Sequence, residues 1–292
     1  MTIYVWIKQH RESFPVKIMC RVLGVARAAF YAWLDEPTRP RQQYRKQLAQ
    51  KIQEVREEPY LSTYGSPRMT QELNARGVAV SQNTVARVMR EADLRADSAK
   101  RFVPCTTDSD HDHPVAPNTL DRDFTADGPN QKWLTDITYI PTRQGWLYLA
   151  GVLDCYSRKI VGWSMDTTMK AQLVADALEM ALVGRKPRAG SWAGLLHHSD
   201  RGSQYACEAY QSLLIEHGID CSMSRVGNCY DNAMKESFWS TLKREAMGDH
   251  VFETIADARA TVFEYIEVFY NRRRRHSSLG YVSPETFEAA LN

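Results

Sequence analysis

Three carboxylates in this 292-residue chain stand where their chemistry needs an explanation. Asp136 interrupts the run WLTDITYI, whose neighbours are nearly all apolar or β-branched, so the strand it predicts is buried on both faces. A carboxylate there is costly unless a cation or strong hydrogen-bond donors meet it. Asp200 closes the short run GLLHHSD beside Gly202, where a strand turns into a helix, and strand ends in α/β sheets are where ligands bind. Glu236 lies in DNAMKESFWSTLKREA, which reads as a helix. At 3.6 residues per turn Asn232, Glu236 and Lys243 fall in nearly one line, while Phe238, Leu242 and Ala246 lie on another side and can face a core. The chemistry such acids would serve is cation binding. Each also has an ordinary reading: Asp200 as a helix N-cap, Glu236 as a solvated helix face.

The elements that must position these residues begin at residue 132. KWLTDITYI, GWLYLAGVLDCYSR and IVGWSMDTT are β-rich runs broken by PTRQG and by Ser157-Arg158-Lys159, which predicts a three-stranded antiparallel meander. A helix over about 170–184, the strand GLLHHSD, a helix over about 205–217, the strand IDCSMS and the Glu236 helix follow. This order describes an α/β core, a mixed sheet flanked by helices. A helix over about 254–270, the cluster NRRRRHSSLGY and a closing SPETFEAAL complete the chain.

Before the core the period is helical. Helices over about 15–23 and 26–34 joined at Gly24 have the form of a helix-turn-helix unit. After a charged helix over about 41–57, Pro67 opens a helix to about Arg76 and Ser81 N-caps the next, to Glu91. The first turn of that last helix offers Gln82, Asn83, Thr84 and Arg87 to base edges or phosphates in a major groove. The alternative is a small helical bundle that packs on the rest of the chain. The expected divisions are 1–38 and 39–103 for the two helix-turn-helix units, 104–127 for a linker, 128–250 for the core and 251–292 for a C-terminal helix and basic tail.

Charge follows the same divisions. Residues 1–103 hold 18 Lys and Arg against 10 Asp and Glu, residues 104–127 hold one against six, and the remainder nearly balances. A basic front suits a polyanion. Arg272, Arg273, Arg274 and Arg275 in the tail read as a phosphate grip with strongly salt-dependent binding, or as a solvated helix end. No run of about 18 apolar residues could span a bilayer and the first residues have no signal-peptide form, which places the chain in the cytoplasm. Six scattered cysteines with no CxxC pair suggest reduced thiols. Cys105, His111 and His113 form the nearest thing to a metal cluster, in polar sequence that reads as linker. His197, His198, Trp133 and Trp239 read as core residues.

TDITY, HSDRGSQY and DNAMKESFWSTLKRE occur in that order, with 35 residues between Asp200 and Glu236. With the front helices, the linker DSDHDHPVAPNTLDRDF and the tail YNRRRRHSSLGYVSPETF, essentially the whole chain resembles the second-reading-frame (OrfB) product of bacterial insertion-sequence DDE transposases of the IS-three family. Its core is similar to that of retroviral integrases. The resemblance implies a ribonuclease H-like fold and makes Asp136, Asp200 and Glu236 both catalytic and metal-binding, with Lys243 at the family's basic position and Asn232 near the same groove. It implies two Mg2+ ions, replaceable by Mn2+, with Asp136 bridging them and Asp200 and Glu236 each completing one side. Such ions, about 3.5–4 Å apart, activate the attacking oxygen and stabilise the leaving one. The implied activity is cleavage that frees a 3′ hydroxyl at a transposon end, then attack of that hydroxyl on a second phosphodiester. Implied partners are double-stranded terminal repeats and target DNA, a first-frame protein fused by frameshifting, and at least one further copy of the chain. The rival readings are a catalytically silent DNA-binding regulator and a structure-directed nuclease of the same fold.

Overall fold

β-branched and aromatic residues at alternate positions build a five-stranded sheet around the strand that carries Asp136. Strands β1 (Lys132–Thr142), β2 (Gly145–Asp154) and β3 (Ile160–Asp166) form the antiparallel meander, and β4 (Leu196–Ser199) and β5 (Asp220–Met223) run parallel to β1. The order β3-β2-β1-β4-β5 places β1 at the centre. The computed structural model describes residues 3–35, 40–97, 113–187, 190–225, 233–248 and 250–290, with the side chains of residues 40 and 233–236 outside the description.

Because side chains alternate along β1, its two faces feed two different cores. Trp133 and Ile137 pack with Leu173, Leu178, Tyr205 and Leu214 from helices α7 (Ala171–Gly184), α8 (Ser203–Ala206) and α9 (Glu208–Glu216), numbered here by their place in the chain. Close approach on this side needs Gly162, since a Cβ there would lie 2.1 Å from the Ala177 carbonyl oxygen of α7. Leu134 and Ile140 point the other way, toward Phe238 and Leu242 of α10 (Ala233–Leu242) and Val262 of α11 (Ile255–Phe263). Both helices run on into wider π-type turns, Lys243–Met247 and Glu264–Tyr270. The short α12 (Pro284–Ala289), N-capped by Ser283, closes the fold.

Among the described residues six α-helices precede the sheet. The first, α1 (Ile3–His10), went unread in the sequence; with α2 (Val16–Val22) and α3 (Arg27–Asp35) it encloses a small core of Ile7, Met19, Cys20 and Phe30. The second unit is α4 (Pro40–Arg56), α5 (Ser66–Ala75) and α6 (Gln82–Glu91). Ser81 caps α6 as its sequence predicts, accepting the Thr84 N–H. This unit shares one continuous apolar core with the sheet and the C-terminal helices, with Tyr60 packed on Tyr265 and Phe269.

Where the described part of the expected linker begins, at residue 113, the chain soon meets β5. The Pro117 carbonyl accepts the Met223 N–H, Ser222 Oγ accepts the N–H groups of Thr119 and Leu120, and Leu120 is buried. This segment covers an outer strand of the sheet, which protects it from pairing with another chain. Among the described residues no helix is long and apolar enough to cross a membrane.

The tail arginines correct the reading of a four-residue phosphate grip. Arg274 is 1% exposed and bonds Glu245 through Nε at 2.7 Å and Nη2 at 2.8 Å, so it cannot meet a phosphate. Arg275 pairs with Glu72 of α5 at 2.7 Å, Arg273 with Glu58 at 2.8 Å and Arg272 with Glu285 at 3.5 Å; only Arg272 and Arg273 stay exposed. Arg68 of α5 reaches the same Glu245 at 3.4 Å, and Tyr265 donates its hydroxyl to it at 2.8 Å. Burial alone would raise the Glu245 carboxyl, but Arg274, Arg68 and Tyr265 outweigh it and hold the group below its ordinary value.

Replacing Glu245 with Gln leaves the buried Arg274 guanidinium without its counter-charge, and loss of such a partner costs about 3–5 kcal/mol. Urea unfolding at neutral pH should show that loss. Because the folded-state value is depressed, the contribution is present above the ordinary carboxylate range and disappears as pH falls through it, so wild type and variant should converge in acid.

Candidate active site

The parallel pairing of β1 with β4 brings two of the three acids together. The register sets Lys132 against Leu196, Trp133 against His197 and Leu134 against His198. The pairing ends there, so Asp136 and Asp200 each lie two residues beyond the same paired segment of β1 and β4. A second observation agrees. Burial raises the Tyr205 hydroxyl well above its ordinary value, and the charges of Asp136 and then Asp200 raise it further, so both carboxylates act on one buried group.

Each acid is held by its own surroundings. Asp136 is half-buried, and its Oδ2 accepts the indole N–H of Trp239 at 3.0 Å. Asp200 Oδ1 accepts the Gly202 N–H at 2.9 Å, which forms the turn from β4 into α8. The end of β4 is fixed from behind by a buried polar chain. Ser222 Oγ already accepts two backbone N–H groups, so its own proton goes to His198 Nδ1 at 2.9 Å. His198 Nε2 then donates to Ser224 Oγ at 3.1 Å, and Ser224 donates to the Ser199 carbonyl at 3.2 Å, one residue before Asp200. His197 is also fully buried and lies 2.8 Å from the Tyr210 hydroxyl; the core placement is observed for both histidines.

Glu236 stands on α10, three residues before Trp239, with its side chain outside the description. Asn232, Cys105 and His111 lie outside the described residues altogether, while His113 is exposed. Among the described residues no three His, Cys, Asp or Glu side chains form a metal-holding group. Lys243, one turn beyond Trp239, is half-buried with its Nζ 5.0 Å from the centre of the Tyr139 ring. Burial lowers its pKa and the Asp136 charge opposes that shift, which places the ammonium in the field of the first acid.

Gln82, Asn83 and Arg87 are exposed on the first turns of α6, far in sequence from the acids, while Thr84 is half-buried with its hydroxyl 3.0 Å from Ser81 Oγ. Trp239 and Tyr205 are the residues at the site that sequence reasoning missed. The sequence signal for Trp239 was its place one turn after Glu236 in the same helix. A further buried acid, Asp154, belongs elsewhere: it is closed by the N–H groups of Asn130, Tyr156 and Ser157 and ties off the β2–β3 connection.

Family comparisons bear on this geometry. Two models of an integrase core domain match residues 126–229 and 217–284, and a model of an HTH-like domain matches residues 43–102. Transposase InsF for insertion sequence IS3A of Escherichia coli (strain K12) is 46% identical over 288 residues, 98% of each chain. The chain belongs to the IS3 family of transposases. A 31 kDa protein of insertion element IS600 from Shigella sonnei is 44% identical over 271 residues, covering 92% of this transposase and 97% of the relative. Among solved structures, the catalytic core domain of BIV integrase aligns with a TM-score of 0.40 at 19% identity, covering 56% of this chain and 95% of the other. The transposase therefore has an integrase-type core, a mixed five-stranded sheet with helices of the ribonuclease H-like class, preceded by a helical helix-turn-helix region.

The polar chain behind Asp200 gives a direct test of its importance to the fold. Ser222→Ala removes the acceptor of the Thr119 and Leu120 N–H groups, the second of them buried, and the partner of His198, a loss of about 1–3 kcal/mol. Chemical denaturation should report it, with faster proteolysis in residues 113–125, which rest on Ser222.

Proposed function

We propose that this transposase cuts DNA at transposon ends and joins the freed strand to a second site, with Asp136, Asp200 and Glu236 as its catalytic and metal-binding set. The proposal is supported by an integrase core in which Asp136 and Asp200 each follow two residues after the paired segment of β1 and β4, and in which both charges raise the buried Tyr205 hydroxyl. The donor set fits magnesium or manganese, since carboxylate oxygens at one strand end, together with water and phosphate oxygens, suit a hard divalent ion. Two such ions when bound supply activation of the attacking oxygen and stabilisation of the leaving oxygen in an in-line displacement.

The chain's own residues do the rest. Asp136, Asp200 and Glu236 hold negative charge in one place, and the rigid sheet fixes the first two before substrate arrives. Lys243 lies beside that charge and takes a phosphate of the bound DNA. In the first step a water oxygen bonds to the phosphorus at the transposon end and the bond to the 3′ oxygen breaks, freeing a 3′ hydroxyl. In the second that hydroxyl attacks another phosphodiester and displaces its 5′ neighbour. Asn232 is assigned to DNA contact by the family resemblance.

Recognition belongs to α6, whose exposed Gln82, Asn83 and Arg87 meet double-stranded terminal-repeat DNA, with Thr84 supporting the turn. Arg272 and Arg273 add phosphate contacts at the junction with the tail. Joining two ends calls for at least two copies on one DNA complex, and a first-frame protein fused to this chain completes end recognition. The units 1–38, 39–103, 128–250 and 251–292 then act as two DNA-reading units, a catalytic core and a clamp.

A strand-joining and disintegration assay on branched DNA with Mg2+ or Mn2+ tests the chemistry without the terminal sequence. Wild type should form joined products, and Asp136→Asn, Asp200→Asn and Glu236→Gln should form none while still binding DNA. Binding without products from the wild type in either metal would replace this reading with a silent regulator. For recognition, Arg87→Ala should weaken DNA binding and reduce the slope of log affinity against log salt by about 1, while Arg274→Ala should lower stability instead.

A further inference from the structure

Trp239 does two things at once that a plain core residue does not. Its indole N–H donates to Asp136 Oδ2 at 3.0 Å, and the six-membered part of its ring closes on a glycine in the middle of β2. That position is Gly151, the register partner of Asp136 across the β1–β2 pair. A Cβ on Gly151 would come within 2.8 Å of the Trp239 ring. Asp136, Gly151 and Trp239 therefore form a three-part fit in which the glycine leaves the room, the indole fills it, and the carboxylate receives the donor. A small cavity between them is lined by Leu134, Leu153, Ile160 and Phe238, so Asp136 faces an apolar wall on that side.

We propose that Trp239 is a positioning residue for Asp136: it holds Oδ2 and thereby aims Oδ1 at the bound cation. The inference rests on Asp136 being a metal ligand. A carboxylate rotates about its Cβ–Cγ bond, and one oxygen held by a rigid donor fixes the direction of the other. The choice of donor follows from its chemistry. An indole N–H is a donor only and carries no charge, so it neither competes for the cation nor repels it, whereas a lysine or arginine at the same place would do the second. Burial makes the donor rigid: Trp239 is 8% exposed and packs against Phe238, which in turn meets Tyr270. The contact has a second effect. Glu236 lies three residues earlier on α10, so the bond from Trp239 to β1 also fixes the backbone that carries Glu236 relative to the strand that carries Asp136.

The experiment measures Mn2+ binding to the full chain by electron paramagnetic resonance titration, beside the strand-joining assay and thermal unfolding without metal. Trp239→Phe keeps an aromatic ring and removes the N–H. Gly151→Ala leaves the indole intact and pushes it away from its seat. Loss of a group that orients a metal ligand typically weakens metal affinity by roughly 10–100-fold, and both variants should show a loss of that size while remaining folded. In the double variant the shorter Phe ring has room for the Ala methyl, so the two effects should not add. Wild-type Mn2+ affinity and joining in folded Trp239→Phe overturn the proposal; if that variant does not fold, wild-type affinity in Gly151→Ala overturns it. Asp136→Asn separates the two levels: unchanged Mn2+ affinity there defeats the assignment of Asp136 as a ligand, whereas a loss there with normal Trp239→Phe defeats only the role of the indole.

Discussion

The structure turns on the buried ion pair between Glu245 and Arg274. Two charges out of water are costly, and the cost is met only when geometry is good and the remaining hydrogen-bonding groups find partners. Here Arg274 contacts both oxygens of Glu245, Tyr265 donates to one of them, and Arg68 lies near the other, which leaves Arg274 Nη1 as the one buried nitrogen of the pair without a partner among the described residues. These groups come from four parts of the chain: α5 of the helix-turn-helix unit, the extension of the Glu236 helix, the turn after α11, and the tail. A carboxylate that needs all of them sets how the four are placed together. Apolar packing such as Tyr60 on Phe269 supplies the bulk of the contact but specifies it less sharply.

That constraint also separates the roles of charged residues that look alike in sequence. Arg272 to Arg275 are four identical neighbours, yet one is buried, one half-buried and two exposed. Asp136 and Asp154 both lie on strands of the meander, yet Asp154 is enclosed by backbone N–H groups and Asp136 takes the indole N–H of Trp239. Residue type states what a group can do; its neighbours decide which of those things it does.

Much of the fold was legible in the chain because local pattern and tertiary structure agree. The near-continuous apolar and β-branched run WLTDITYI, the glycine and proline breaks and the Ser81 cap each gave an element near its observed place, and the order of the runs gave the mixed sheet. In the sequence Asp136 stands out as a carboxylate in an otherwise apolar run, and Asp200 as one at a strand end beside Gly202. Arg274 was misread because its partner lies 29 residues away on another helix, and nothing in RRRR marks the third member. Trp239 was rightly placed in the core, but periodicity gives only the side of a helix a residue faces and says nothing of which atom its N–H meets. The described part of the linker was read as solvated because proline and aspartate dominate it; its contact with Ser222 spans more than 100 residues.

The short pairing of β4 has a consequence for the solubility of the sheet. β4 meets β1 only at residues 132–134, and among the described residues β1 from Thr135 to Pro141 has no strand on that side. An open ladder in the middle of a sheet is a template for any extended segment that reaches it. Here it carries an acidic group on its face and a proline near its end, with Trp239 of α10 bonded to Asp136 and Lys243, just beyond α10, over the Tyr139 ring. An intruding strand would have to bury charge and displace an indole. These groups thus keep the open edge from pairing with itself.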